Sequence, residues 1–330
     1  MKIQKWFFIS LAGVLLIGFL LGSFFDLQIN QALYSRNNGF GLTLAAFGEA
    51  PSFMALVVMG TGFLLLGKSY RKTYQRVIFI VLFILTFVIS TYFIGSHIFN
   101  TNGYNNSKLS FVGYLIGFVL SLLAAVLGYL LFNKTTLSPR RLLYVLILLS
   151  FIYGVSIGIN QLAKMIMSRP RFRFLKEMDV IQEYYRNWWQ NGKDVRNLYL
   201  KETILFPNGN PITKEEFKSF PSGHVNNAMF LPLFLGTLPL FNNKIKVKSS
   251  LLAGIGLAYV ALIMYSRLLV GAHFLSDVCF GGLITVVVAY VLSLIFNHFY
   301  NQIEEDNLQE DIEVSPEEIK KEVEELEKVE

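Results

Sequence analysis

Two histidines, one carboxylate and several fixed positive charges are gathered in three short stretches of this chain. The first runs from Lys164 to Arg171 and includes Arg169-Pro170. The second is Pro221-Ser222-Gly223-His224. The third begins at Ser266-Arg267, reaches His273 and ends at Asp277. These residue types suit phosphoryl transfer. A phosphate monoester is a dianion, and moving it needs in-line attack, neutralised non-bridging oxygens and a proton for the leaving oxygen. His273 and Asp277 are four apart, so on a helix they share a face. A carboxylate there can hold one imidazole nitrogen as N–H and leave the other free to attack. Arg267 can reach the same spot with a bidentate fork. Ser222 can cap the helix that follows, turning backbone N–H groups toward an anion. His224 is placed to act as the general acid, and Lys164 and Arg171 add two further charges. The positive charge comes from side chains, not from a carboxylate cluster able to hold Mg²⁺, so neither a metal nor a cofactor is expected in the chemistry.

Each piece alone has an ordinary explanation. Lys and Arg at the ends of membrane spans snorkel to the interface or set topology. A Pro-Ser-Gly turn often starts a helix, and a lone His in a membrane protein usually packs, which is the reading for His97 and His298. Together, at the edges of apolar segments, the ionisable residues read as a site.

Those segments must position the site. The chain is 53% hydrophobic and 16% charged, with 30 Phe, too apolar for a water-soluble domain of this length. A spanning helix needs roughly 20 apolar residues. Eight candidates fit: 6–25, 52–67, 77–97, 111–132, 142–165, 224–241, 250–266 and 276–297. The second is short enough to be partly re-entrant. The first has the Lys2/Lys5 flank of a signal peptide but no clear cleavage site, and reads as a retained helix. The expected fold is therefore all-α, a polytopic membrane bundle. The single cysteine, Cys279, lies in the last span.

Short-loop charge sets the orientation. Lys68, Arg71, Lys72 and Arg76 follow the second span, Lys134, Arg140 and Arg141 the fourth, and Lys244, Lys246 and Lys248 the sixth. The positive-inside rule puts these loops and both termini in the cytoplasm and the three motif stretches outside. Residues 1–302 then form the membrane domain, with 166–223 as an extracytoplasmic segment. Residues 303–330 form a cytoplasmic tail with 13 Asp or Glu against 3 Lys. In the tail, Ser315-Pro316-Glu317-Glu318 reads as a capping box, and Ile319, Val323 and Leu326 follow at helical spacing. It is either a solvated helix or one that docks a cytoplasmic partner or the basic loops. The segment 172–220 carries Tyr184, Tyr185, Trp188 and Trp189. It is either an interfacial lid or guide, since such aromatics favour the bilayer interface, or a surface domain with its own small core.

The three stretches resemble the signature of the type 2 phosphatidic acid phosphatase family, related to vanadium haloperoxidases and bacterial acid phosphatases. Its pattern is K-x6-R-P, P-S-G-H, then S-R-x5-H-x3-D. The second and third elements match fully. The first matches through Lys164 and Arg171, with Phe172 in place of the usual proline. The resemblance implies His273 as nucleophile, Asp277 as its orienting partner and His224 as acid. It implies Lys164, Arg171, Ser222, Gly223 and Arg267 as phosphate holders. It further implies a metal-free phosphatase with a six-helix core, so two of the eight spans are additional, expected among the first four. The leading expectation is a phosphatase acting on a lipid phosphate or diphosphate, with membrane lipids as surroundings and no nucleic-acid partner. A phosphotransferase using another acceptor is the alternative enzyme. A transporter is the alternative of another class, but that would place charges deep within spans and not at one rim.

Overall fold

The computed structural model describes residues 5–100 and 107–312. Among these residues the chain is helical, without a strand beyond one isolated bridge between Leu205 and Pro211. Helix α1 (Lys5–Leu33) packs along α13 (Leu275–Ile312). A short α2 (Gly39–Phe47), capped by the Asn38 side chain, leads into α3 (Ala50–Leu66), which has Pro51 in its first turn. Proline costs nothing there because the first N–H groups have no helical partner. Helix α3 is the inner helix, with Val57 and Met59 fully buried. Helices α4 (Thr73–Asn100) and α5 (Ser107–Phe132) pack on it and on each other as an outer layer. Outward-facing Val, Ile, Leu and Phe side chains remain exposed along α1, α4 and α5. A continuous apolar surface of this size marks the lipid-facing side of a membrane protein.

Helix α6 (Pro139–Met167) starts at a Ser138 cap with Pro139 behind it. It stops at Ser168, which takes the left-handed conformation (φ 49°) that closes helices. The stop falls between Lys164 and Arg171 and lets the chain turn back across the bundle end. Helix α12 (Ser249–Leu269) returns to that same end, where α13 begins.

Among the described residues, seven helical segments are long and apolar enough to cross a membrane, one fewer than expected. The exception is 224–241. It is broken at Met229 into α10 (Gly223–Ala228) and α11 (Phe230–Phe241). Pro232 explains the break: proline lacks the N–H a continuous helix would use and clashes with the carbonyl four residues back. The interruption leaves Pro232 in the first turn of α11, where both problems vanish. The two pieces still span about 28 Å end to end at 1.5 Å per residue. The chain therefore passes from the site end to the opposite end before α12 returns.

At that opposite end the basic loops meet. Lys68, Ser69, Asn133 and Thr135 line one small cavity, and the Asn242 amide donates to the Leu131 carbonyl at 3.2 Å. Helix α13 continues to Ile312, past the boundary expected at 302. The capping box at Ser315 and the residues after it lie outside the described residues.

The segment between α6 and α10 has its own core. It carries α7 (Phe172–Glu177), α8 (Ile181–Tyr184), α9 (Lys193–Lys201) and a 3-10 turn at Lys214–Phe217. Phe172, Phe174, Leu175, Val195, Tyr199 and Phe217 are buried together with Phe274. Of the four aromatics for which an interfacial role was one alternative, Trp188 stacks on Phe220, packs at a tilt against Phe19 and donates to Ser23 Oγ at 2.8 Å. Tyr184 and Tyr185 pack within the segment, and Trp189 is half exposed. The surface-domain alternative describes this segment better than a free lid.

Candidate active site

All three motif stretches converge at one end of the bundle, around the N-terminus of α13. Asp277 is the third residue of that helix and accepts the backbone N–H of Phe274 at 2.8 Å, a capping arrangement. Asp26, from the last turns of α1, accepts the Ser276 N–H at 2.9 Å and the Ser276 hydroxyl. Two carboxylates thus sit at the positive end of one helix dipole. Arg169 lies between them, fully buried. Its guanidinium donates to Asp277 at 2.6 Å, Ser276 Oγ at 2.9 Å, Asp26 at 2.9 Å, Tyr185 Oη at 3.4 Å and the Arg186 carbonyl at 2.8 Å. It also covers the Phe274 ring at 4.1 Å. Five bonds match the five N–H groups of the fork, leaving none for substrate.

His273 is buried beside this network. Its Nδ1 lies 2.5 Å from the Ser219 carbonyl. A carbonyl can only accept, so Nδ1 carries the proton and Nε2 keeps its lone pair. Asp277, expected to hold this nitrogen directly, is 3.9 Å from it, beyond hydrogen-bond reach. It works through Ser219, whose hydroxyl donates to Asp277 at 2.5 Å while its carbonyl takes the imidazole. Asn30 fixes the same turn by donating to the His273 carbonyl at 3.1 Å. Burial, followed by the charges of Arg171 and Lys164, pushes the imidazole well below its ordinary range. Around neutral pH His273 is therefore a neutral base with one free nitrogen. Gly271 makes the approach to it possible: its φ of +61° is in the left-handed region, where a side chain is strained.

The residues expected to hold phosphate lie near that imidazole, and Arg171, Lys164 and Arg267 each disfavour its protonated form. The Lys164 ammonium lies so close to Gly223 that a Cβ there would come within 2.8 Å of it. Arg171 is mostly buried, and its nearest carboxylate, Glu215, is 3.9 Å away. Its Nε is buried without a protein partner. Ser222 is the N-cap residue of α10, as expected, but its hydroxyl makes no capping bond and is likewise buried without a partner. Arg267 is held by the Gly41 carbonyl at 2.9 Å and by Ser266 Oγ at 3.2 Å. Phe172, in place of the family proline, is buried against Tyr34 and Phe274 as the first residue of α7, so the substitution leaves Arg171 on the site.

His224 opens α10 and is partly accessible. Its Nε2 lies 3.2 Å from the Ala45 carbonyl, and its Nδ1 is 3.7 Å from Glu49. Glu49, between α2 and α3, also takes a 2.9 Å contact from His97 Nε2 and a 2.8 Å hydrogen bond from the Asn227 amide. His97, expected to be a packing residue, instead belongs to the rim of the site through Glu49. His298 is exposed, with its ring beside Phe299 at 5.8 Å.

Residues 142–300 match the family model described as the PAP2 superfamily. This region belongs to the PAP2 superfamily. No curated protein and no solved structure matches the chain. Family membership and the apolar helices together support a multi-pass membrane phosphatase.

Sequence reasoning missed several members of this PAP2 site. Arg169 was visible as part of an Arg-Pro-Arg run but without a role, and it is the centre of the scaffold. Asp26, Asn30, Glu49 and Ser219 were not singled out at all. The available signal was a carboxylate close to a long apolar run, as at Asp26 and Glu49, which is costly unless paired or functional.

Proposed function

We propose that the protein hydrolyses a lipid phosphate or diphosphate at the extracytoplasmic face of a cytoplasmic membrane, through a phosphohistidine on His273. The observation that carries this reading is the tautomer of His273, fixed by Ser219, beside two buried donors the protein does not use, Arg171 Nε and Ser222 Oγ. Such donors suit a phosphate oxygen, because a buried polar group without a partner is costly.

In the first step the Nε2 lone pair attacks phosphorus in line. The bond to the leaving oxygen breaks, and His224 supplies that oxygen's proton. Lys164, Arg171 and Arg267 balance the charge on the non-bridging oxygens. The Nδ1–H keeps donating to the Ser219 carbonyl, and the positive charge that forms on the ring is offset by Asp277 nearby. In the second step water attacks the phosphohistidine as His224 takes its proton, and phosphate leaves with His273 restored. With a diphosphate the first leaving group is the lipid monophosphate. No step calls on a metal ion.

The basic loops gathered at the end of the bundle away from the site support the extracytoplasmic side. A Lys193→Cys substitution in a Cys279→Ser background should label with an impermeant thiol reagent in intact cells, and Ser69→Cys only after the cells are opened. The activity itself is tested by phosphate release from a panel of lipid phosphates and diphosphates, with and without chelator. Release that survives chelator and is inhibited by vanadate, which takes five ligands around an imidazole, is expected. A strict Mg²⁺ requirement, or no release from any member, would refute the reading.

A further inference from the structure

The triad of Glu49, His97 and His224 has a second chemical capacity. We propose that it binds a divalent transition-metal ion of the Zn²⁺ type, and that the bound ion inhibits the enzyme by occupying His224. The inhibitory part rests on His224 being the general acid; the binding part does not.

The ligand set comes from three separate elements: the α2–α3 junction, the last turn of α4 and the first turn of α10. One ligand atom from each lies within 4.8 Å of the others. Zinc–ligand bonds of about 2.0–2.2 Å in a tetrahedral site place ligand atoms roughly 3.4 Å apart. His97 Nε2 lies 2.9 Å from Glu49 Oε2 and His224 Nδ1 lies 3.7 Å from Glu49 Oε1, so each imidazole already stands near that separation from one oxygen of the carboxylate. Small side-chain rotations close the difference.

The surroundings are those of a metal ligand shell. His224 Nε2–H donates to the Ala45 carbonyl, so Nδ1 is the nitrogen that faces Glu49: it carries the proton in the acid form and offers its lone pair to an ion once that proton has left. A ring N–H on a backbone carbonyl is the usual outer-shell support for a ligating histidine. Glu49 is oriented by the Asn227 amide. The two imidazole rings stand edge to face at 5.6 Å, so both can turn a nitrogen toward one point. The side chains of His97 and His224 are 29% and 16% exposed, which gives an ion a route in.

Two imidazoles and one carboxylate favour Zn²⁺, Cu²⁺ or Ni²⁺ over Mg²⁺ and Ca²⁺, which prefer oxygen ligands. Three protein ligands leave a fourth position for water. Once Nδ1 holds the ion, the remaining ring proton of His224 is the one committed to Ala45, and none is left for the leaving group.

The test uses the full chain purified in detergent, stripped with chelator and titrated with Zn²⁺ alone. Bound metal is measured by elemental mass spectrometry after desalting and by competition with a chromophoric chelator. One Zn²⁺ per chain is expected, with affinity reduced at least tenfold in His97→Ala and His97→Gln and no competition from Mg²⁺. Binding that is absent, or unchanged in both His97 variants, overturns the site. In the activity arm, Zn²⁺ should slow release from a lipid phosphate by on the order of 10²-fold or more. Each His97 variant, compared with its own metal-free turnover, should lose that sensitivity. Stoichiometric Zn²⁺ with turnover unchanged overturns the inhibitory role. Because binding is read without substrate, it would stand even if no lipid phosphate were hydrolysed.

Discussion

Arg169 and Arg171 are two residues apart, yet they serve opposite halves of the site. Arg169, Asp26, Ser219, Ser276 and Asp277 satisfy one another completely on the α13 side. On the α10 side, Arg171 Nε and Ser222 Oγ are buried without a protein partner, and Lys164 presses on Gly223. The first half is finished by the fold and gives the nucleophile a fixed tautomer. The second half leaves donors open for the phosphate of the proposed substrate. The two halves meet at His273, and the difference between them separates residues that hold the site's shape from residues that act on substrate.

The largest effect should come from His273 itself. His273→Ala should lower kcat by on the order of 10⁴-fold or more, since no other group is placed to form the phosphoenzyme. The melting temperature in detergent should change little by comparison. Retention of more than a few per cent of activity would break the account. Next comes His224→Ala, which should cost about 10²–10⁴-fold on an alkyl phosphate. On p-nitrophenyl phosphate, whose leaving group needs no proton, the loss should be smaller. Equal losses on both would remove His224 from the acid role.

The arginine pair tests the comparison most pointedly. Arg169→Ala leaves two buried carboxylates uncompensated and should destabilise the fold by about 3–5 kcal/mol, a large part of a typical margin of about 5–15 kcal/mol. Arg171→Ala should lower kcat/KM by about 10²–10³-fold with little change in thermal stability. If the two variants behaved alike in melting and in turnover, the division into scaffold and phosphate halves would fail.

The spans were legible because a bilayer demands long apolar runs, and the motif residues because their spacing is tight. The helix break at Met229 is harder to read, because the cost of Pro232 depends on whether it falls in a first turn. Asp26, Glu49 and Ser219 were invisible to spacing because their partners lie far away in the chain, Ser276 for Asp26 and His224 for Glu49. Ser219 acts partly through its backbone carbonyl, which no side-chain motif records. The direct His273–Asp277 bond was the natural guess from a four-residue spacing. It gave way because α13 begins only at Leu275, leaving His273 outside the helix.

A smaller effect sharpens the comparison at the insertion beneath the site. Arg173 forks Glu216 at 2.7 and 3.0 Å. Burial opposes ionisation of Glu216, but the fork outweighs it and holds the carboxyl below its ordinary range. A depressed carboxylate contributes stability that is present above its unfolded value and lost as pH falls through its folded one. Limited proteolysis within 172–220 should therefore increase as pH drops below about 4.5, the ordinary value. Glu216→Gln should show the same sensitivity already at neutral pH, with a loss of about 1–2 kcal/mol. Proteolysis that is independent of both pH and the substitution would mean that the pair does not hold the insertion.

The free Nε2 of His273 is the proposed acceptor of the phosphoryl group. The most direct measurement is rapid alkaline quench of the purified protein during turnover of a hydrolysed lipid phosphate, followed by mass-spectrometric mapping of phosphohistidine. The account predicts an acid-labile, alkali-stable phosphate on the peptide containing His273, absent in His273→Ala. A phosphoryl group mapped to another residue, or turnover with no trapped phosphoenzyme and no loss in His273→Ala, would contradict it.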